Sequence, residues 1–135
     1  MKLPQNTIIA AGPVIIENDK VLLNREKKTH GSSFFMFQSG TVENFNNPFE
    51  KTCKRECKEE LGIDIEIIRP LQTLAVKRPE NEKEMAIVVH YLAKRIGEIN
   101  PGPETLEWDW FDIHNLPENC AENVKIIIEN IKKDL

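Results

Sequence analysis

Between residues 47 and 63 the chain reads NPFEKTCKRECKEELGI, and no other stretch constrains the fold so tightly. Asn47 stands where a helix cap belongs, Pro48 suits the first helical position, and Glu50 lies three residues beyond the cap. Gly62 supplies the stop. At the helical period Phe49, Cys53, Cys57 and Leu61 form one apolar stripe, which predicts a helix ending near Leu61 and packed on a sheet. A second stripe of the same period, Val124, Ile127, Ile128, Ile131 and Leu135, predicts a helix at the end of the sequence.

The rest of the chain reads mostly as strand. Residues 7–16 and 21–26 are β-rich and flank a turn at Asn18-Asp19, so they form a hairpin. Residues 27–33 read as a loop, and 34–43 begin as a strand that runs into Gly40. After the first helix come 63–68, an interruption at Pro70, and 71–78. A polar turn at 79–84 leads into a strand at 85–95, then a loop at 99–104 and a short strand at 108–113. The order is three strands, helix, three strands, helix. Both helices can bury their stripes only if they cover opposite faces of one sheet, so we expect an α/β/α sandwich around a central mixed β-sheet. With 135 residues and no repeat, linker or low-complexity tract, residues 1–135 read as a single domain.

The net charge of −4 argues against a nucleic-acid duplex or an anionic membrane as partner. No apolar run reaches the length of a membrane span, and the N-terminal stretch is too short in apolar residues for a signal peptide. Three cysteines do not suggest a disulfide framework, and a reducing cytoplasm is the expected setting. Cys53 and Cys57 are four apart on the helix, but no spacing supports a zinc site; buried apolar roles are expected for both.

The chemistry is concentrated on the first helix. Glu56, Glu59 and Glu60 crowd one edge, while Lys51, Lys54 and Lys58 lie on the far side, too distant to neutralise them. Carboxylates held that close repel one another unless a cation intervenes, and a hard divalent ion such as Mg²⁺ prefers such oxygens. Taken alone, the helix leaves two readings open, a solvated acidic face or a metal site.

Its surroundings decide between them. The stretch GTVENFNNPFEKTCKRECKEELGI, Gly40 to Ile63, resembles the Nudix box, in which Gly and Glu precede an Arg-Glu, an apolar residue, Glu-Glu and Gly. Arg55-Glu56, Cys57, Glu59-Glu60, Gly62 and Ile63 match it position for position. The first half departs: the loop is one residue longer, and Asn47 occupies the place of the first box glutamate. Glu43 sits nearby in GTVE and is the candidate to replace it. Residues 35–40, FMFQSG, stand where Trp-x-x-Pro-Gly-Gly is common, and WDWFDIHNLP resembles the strand and loop before the family's last helix.

The resemblance implies hydrolysis of a nucleoside diphosphate linked to another group, with Mg²⁺ or Mn²⁺ bridging substrate and protein. Glu56, Glu59 and Glu60 would be the metal ligands, and one of them or a loop carboxylate would activate water. Arg55 would hold a glutamate through a bidentate pair. Gly40 would let backbone approach the metal. Candidates outside the box are Glu104 and Glu107 as further carboxylates, Arg25 for phosphate, and Phe35, Trp108 and Trp110 for stacking a base, unless core packing claims the aromatics. A nucleoside triphosphate, ordinary or oxidised, is the first substrate expected. Pro79, sixteen residues after Ile63, resembles a marker of ADP-ribose hydrolases. The same resemblance also admits dinucleoside polyphosphate hydrolysis, or a non-catalytic nucleotide-binding regulator on a Nudix fold. A homodimer is common in the family.

Overall fold

The computed structural model describes residues 6–28, 31–32, 34–44, 46–78 and 81–134. His30, Pro79 and Leu135, and with them parts of the 27–33 and 79–84 segments, lie outside the described residues. The elements are β1 (Ile8–Glu17), β2 (Lys20–Lys28), β3 (Gly31–Ser32), β4 (Gly40–Thr41), α1 (Phe49–Leu61), β5 (Asp64–Arg78), β6 (Asn81–Ile96), β7 (Thr105–Asp112) and α2 (Glu122–Lys133).

The β1–β2 hairpin forms as expected. Glu17 pairs with Lys20, and Asn18 and Asp19 adopt positive φ angles of 52° and 62°, the two-residue turn that matches strand twist. The sheet runs β3-β2-β1-β6-β5, with β4 added to β1 and β7 to β2. β1 and β6 pair in parallel and the other ladders are antiparallel, so the sheet is mixed.

Alternation along the strands sends side chains to two cores. Ala11, Ile15, Leu22, Ile65, Tyr91 and Ala93 pack under the α1 stripe of Cys53, Cys57 and Leu61. Val14, Val21, Leu23, Phe37 and Ile113 pack under Val124, Ile127, Ile128 and Ile131 of α2. The result is an α/β/α sandwich. All three cysteines are free and buried, and Cys53 and Cys57 take the apolar roles expected of them.

Six local expectations need correction. Residues 34–43 do not begin as a strand: Phe35 and Met36 make only isolated bridges, and the two-residue β4 is the only strand there. Residues 81–84 belong to β6 rather than to a turn. Pro48, not Asn47, is the residue flanking α1: its φ of −60° is compatible with a helix, but its ψ of 143° is extended. No side chain caps the helix there. β5 does not break at Pro70; register shifts between Ile67 and Arg69 and between Pro70 and Thr73 carry it past the missing N–H. Lys27 and Lys28 are not loop, since they extend β2 and pair with Ser32 and Gly31. β7 begins at Thr105, earlier than residue 108, because the edge of β2 is long enough to receive it.

The C-terminus of α1 is fixed closely. Gly62 takes φ 69°, the left-handed turn a Cβ would disfavour, and its N–H returns to the Lys58 carbonyl at 3.1 Å. The carbonyls left over at the helix end are used by the 99–104 loop. Asn100 N–H donates to Leu61 O at 2.8 Å and Gly102 N–H to Glu60 O at 2.9 Å. The Thr105 hydroxyl adds a bond to the same Glu60 carbonyl at 3.2 Å. That loop is thereby held against the acidic end of the helix.

Candidate active site

Glu56 and Glu60 lie one turn apart on the edge of α1 that the apolar stripe turns toward the sheet, and both are half-buried, whereas Glu59 is exposed. β4 runs directly beneath Glu56. A Cβ on Gly40 would overlap that side chain from its Cβ to its carboxyl carbon, so only glycine fits. The close approach that Gly40 makes is to a glutamate side chain.

Charge at the two carboxyls is poorly compensated. Burial raises the Glu56 pKa, and Glu60, Glu59 and Glu43 raise it further, against which Arg55 works. Burial also pushes Glu60 up, to about 7, helped by a hydrogen bond and charge from Glu26 and by charge from Glu104, with Gln38 opposing. One Glu60 oxygen, Oε2, is buried without a partner.

Arg55 reaches Glu56 through a single contact, Nη2 to Oε1 at 3.2 Å, and its Nε is buried without a partner. The expected bidentate pair is absent because the partner is the adjacent residue, from which a side-on approach of both nitrogens is not made.

The remaining candidates fall into separate places. Glu104 faces this acidic group from its loop. Arg25 pairs instead with Glu107, its cross-strand neighbour on β7, and its guanidinium stands 5.6 Å over the Phe35 ring. Phe35 itself meets Phe111 edge to face at 4.8 Å. Trp108 and Trp110 pack, partly buried, on the α1-side core, so both serve packing.

Two residues of the group, Glu26 and Gln38, were not among the sequence candidates. Glu26 ends an ordinary strand run, and it is the register shift between Arg25 and Glu26 that re-aims it toward α1. Gln38 stands where the Nudix pattern often has proline.

The donor set suits a hard divalent ion, since every carboxylate supplies oxygen. Among the described residues no three His, Cys, Asp or Glu side chains converge into a ready-made cage. Mg²⁺ keeps several waters and takes phosphate oxygens, so one or two carboxylates suffice to hold it. The buried, unpartnered Oε2 of Glu60 suits a ligand position for such an ion.

The sequence profile of the NUDIX domain matches residues 7–131. The chain belongs to the Nudix hydrolase family. A curated relative, an ADP-ribose pyrophosphatase of Methanocaldococcus jannaschii, is 27% identical over 119 residues, covering 88% of this chain and 70% of the relative. Among solved structures, a MutT Nudix hydrolase from Burkholderia pseudomallei superposes with a TM-score of 0.81 at 24% identity, covering 94% of this chain and 99% of that one. An ADP-ribose pyrophosphatase from Streptococcus suis gives 0.65 at 24% identity, with 93% and 92% covered. Those likenesses extend the Nudix fold over nearly the whole chain. Among the described residues no helix is long and apolar enough to cross a membrane.

Proposed function

We propose that this Nudix protein hydrolyses the pyrophosphate bond of a nucleoside diphosphate linked to another group, with Mg²⁺ or Mn²⁺ held by Glu56, Glu59 and Glu60. The observation that carries the reading is the half-buried Glu56–Glu60 pair one turn apart on the edge of α1, with Gly40 packed against Glu56 and a buried Glu60 oxygen left unpartnered. Intact carboxylates gathered at such a cost favour an active enzyme over a regulator that has lost turnover.

When bound, the divalent ion supplies the positive charge that draws a diphosphate to this acidic edge and offsets negative charge developing at phosphorus. The chain's own groups do the rest. Gly40 admits Glu56 to the site by leaving room for it, and Arg55 keeps the Glu56 carboxylate oriented. The loop bonds to the Leu61 and Glu60 carbonyls hold Glu104 opposite the helix. As the water-activating base we propose the loop carboxylate Glu104, which is exposed and outside the ligand set, over one of the helix glutamates. Glu43 is exposed near Glu56 and adds charge where the first box glutamate is replaced by Asn47. Arg25, paired with Glu107 through Nη1, remains the candidate for a substrate phosphate.

A nucleoside triphosphate is the first substrate we infer, and the archaeal relative favours ADP-ribose as the second. A panel decides between them: phosphate or nucleotide release from nucleoside triphosphates, oxidised nucleotides, ADP-ribose and dinucleoside polyphosphates, with Mg²⁺ or Mn²⁺, against Glu60→Gln. Turnover on one class, lowered about a hundredfold or more in the variant, is expected. Binding without turnover across the panel identifies a regulator instead. A cytoplasmic setting is inferred, and a homodimer is one assembly state to test.

A further inference from the structure

On the α2 side of the sheet a histidine is wholly enclosed: His90 of β6 is 0% exposed. Between the pairs Pro70–Tyr91 and Thr73–Val89 of the β5–β6 ladder, Leu71 and Gln72 stand opposite His90 alone. This bulge sets the Gln72 carbonyl 2.8 Å from His90 Nδ1. Asn123 Nδ2, in the first turn of α2, lies 3.1 Å from Nε2. A carbonyl only accepts, so Nδ1 carries the proton and Nε2 accepts from Asn123. The ring is therefore neutral, with both nitrogens used. Phe37 meets it edge to face at 5.6 Å.

That contact matters because α2 starts at Ala121 with no side-chain cap. Its start is held from elsewhere: the Ala121 N–H donates to Phe35 O at 2.9 Å, the Phe35 N–H to Asn119 O at 2.8 Å, and Asn123 to His90. One ring thus joins β5, β6, α2 and the 35–37 segment. Among the described residues, the groups bonded to or stacked on it are the Gln72 carbonyl, the Asn123 amide and the Phe37 ring, none of them charged. Its ladder partner on β1 is Gly12. Around Asn123 on α2, Glu122 and Lys125 pair with each other, and Arg69 of β5 pairs with Asp134. Burial lowers the His90 pKa, opposed only by the Gln72 carbonyl. An imidazolium here would be buried without a counter-charge, its new N–H turned on the donors of the Asn123 amide.

We infer that His90 is an acid-sensitive latch: neutral, it docks the first turn of α2 on the β5–β6 ladder, and on taking up a proton it lets that turn and the 35–37 segment loosen while the sheet stays folded. The sign follows from burial. A histidine held below its ordinary value of about 6.5 contributes stability that is present above that value and is lost as pH falls. The latch is independent of the reaction proposed for the acidic edge.

The test is amide hydrogen exchange followed by NMR on the full chain, each rate referred to its intrinsic value. The Val124 and Lys125 N–H groups both donate to Ala121 O and report the first turn. From about pH 7.5 to about pH 5, the protection of Ala121, Val124 and Lys125 is expected to fall about tenfold, the worth of one hydrogen bond, while Ile128 and Ile131 change less than about twofold. His90→Gln cannot titrate and is expected to hold the first turn within about twofold between the same two pH values. Asn123→Asp gives the ring a counter-charge, is expected to keep the turn docked at about pH 5, and serves if His90→Gln does not fold. Ring ¹⁵N shifts at about pH 7.5 are expected to place the proton on Nδ1. A proton on Nε2, a loss as large in His90→Gln or in Asn123→Asp as in wild type, or an equal loss along the whole of α2 overturns the inference.

Discussion

The two helices of this protein bury apolar stripes of the same period on opposite faces of one sheet, yet they handle charge in opposite ways. On α2 the acidic residues have partners on their own helix: Lys125 bonds Glu122 at 3.2 Å and Lys132 bonds Glu129 at 2.7 Å, both three residues apart. On α1, Lys51, Lys54 and Lys58 are exposed, and Glu56 and Glu60 are half-buried among other carboxylates. The nearest acid to Lys58 is Asp64, at 3.8 Å and beyond the helix. Isolated helix stability would favour the α2 arrangement, so the departure on α1 points to a demand other than folding.

The comparison breaks most visibly at paired glutamates. Glu60→Gln is expected to lower kcat/KM by about a hundredfold to a thousandfold, as removal of a principal electrostatic group does. It is also expected to leave the metal-free protein folded, since it removes repulsion. Glu129→Gln on α2 removes a well-formed ion pair and is expected to leave kcat/KM unchanged, exposed pairs contributing little. Steady-state kinetics beside thermal melts of both variants decide the matter. Equal losses of activity would show that the acidic edge of α1 is no more than solvated surface.

Gly40→Ala sharpens the same contrast without touching a charge. The new methyl collides with Glu56 along most of its side chain. Either Glu56 swings out or β4 shifts, and a displacement of about 1 Å at a reacting centre costs on the order of a hundredfold in turnover. Among the described residues no glycine makes an equivalent close approach to α2. A kcat/KM within twofold of wild type would remove Glu56 from the proposed ligands.

How much of this was legible before the structure follows the range of the interactions involved. The stripe of Cys53, Cys57 and Leu61, the stop at Gly62 and the Asn18-Asp19 turn depend on neighbours in sequence, and all formed as expected. Glu56 and Glu60 were legible because a family pattern marks them. Glu26 was not, because its direction comes from a bulge against β7, some eighty residues away. Gln38 was hidden for the same reason: its placement depends on Asn24 and on the close passage of Gly12, neither of which leaves a local pattern. The helix start shows the opposite failure. Asn47-Pro48 has good local capping chemistry, yet Pro48 stays extended and α1 is anchored through Tyr91, whose hydroxyl donates to Glu50 at 3.0 Å from β6. Tertiary contact replaced the local cap.

The smallest effect separates the helices by the sign of their pH dependence. Glu60 is raised from 4.5 to about 7, chiefly by burial and then by Glu26. Between those values the folded protein holds a proton that the unfolded chain has released. The stabilisation is therefore fully present below the unfolded value and is lost as pH rises through about 7. Glu129 behaves in reverse: Lys132 lowers its pKa, so its contribution is present above the ordinary value and is lost on acidification. Metal-free melts should accordingly lose Tm between about pH 5 and pH 8 relative to Glu60→Gln. Mn²⁺, which competes with the proton for Glu60, should bind several-fold more weakly at about pH 6 than at about pH 8 and should restore the lost stability at the higher pH. A Tm difference between wild type and Glu60→Gln that does not change with pH would mean that Glu60 is fully ionised without metal, and that the crowding on α1 imposes no more strain than the pairs on α2.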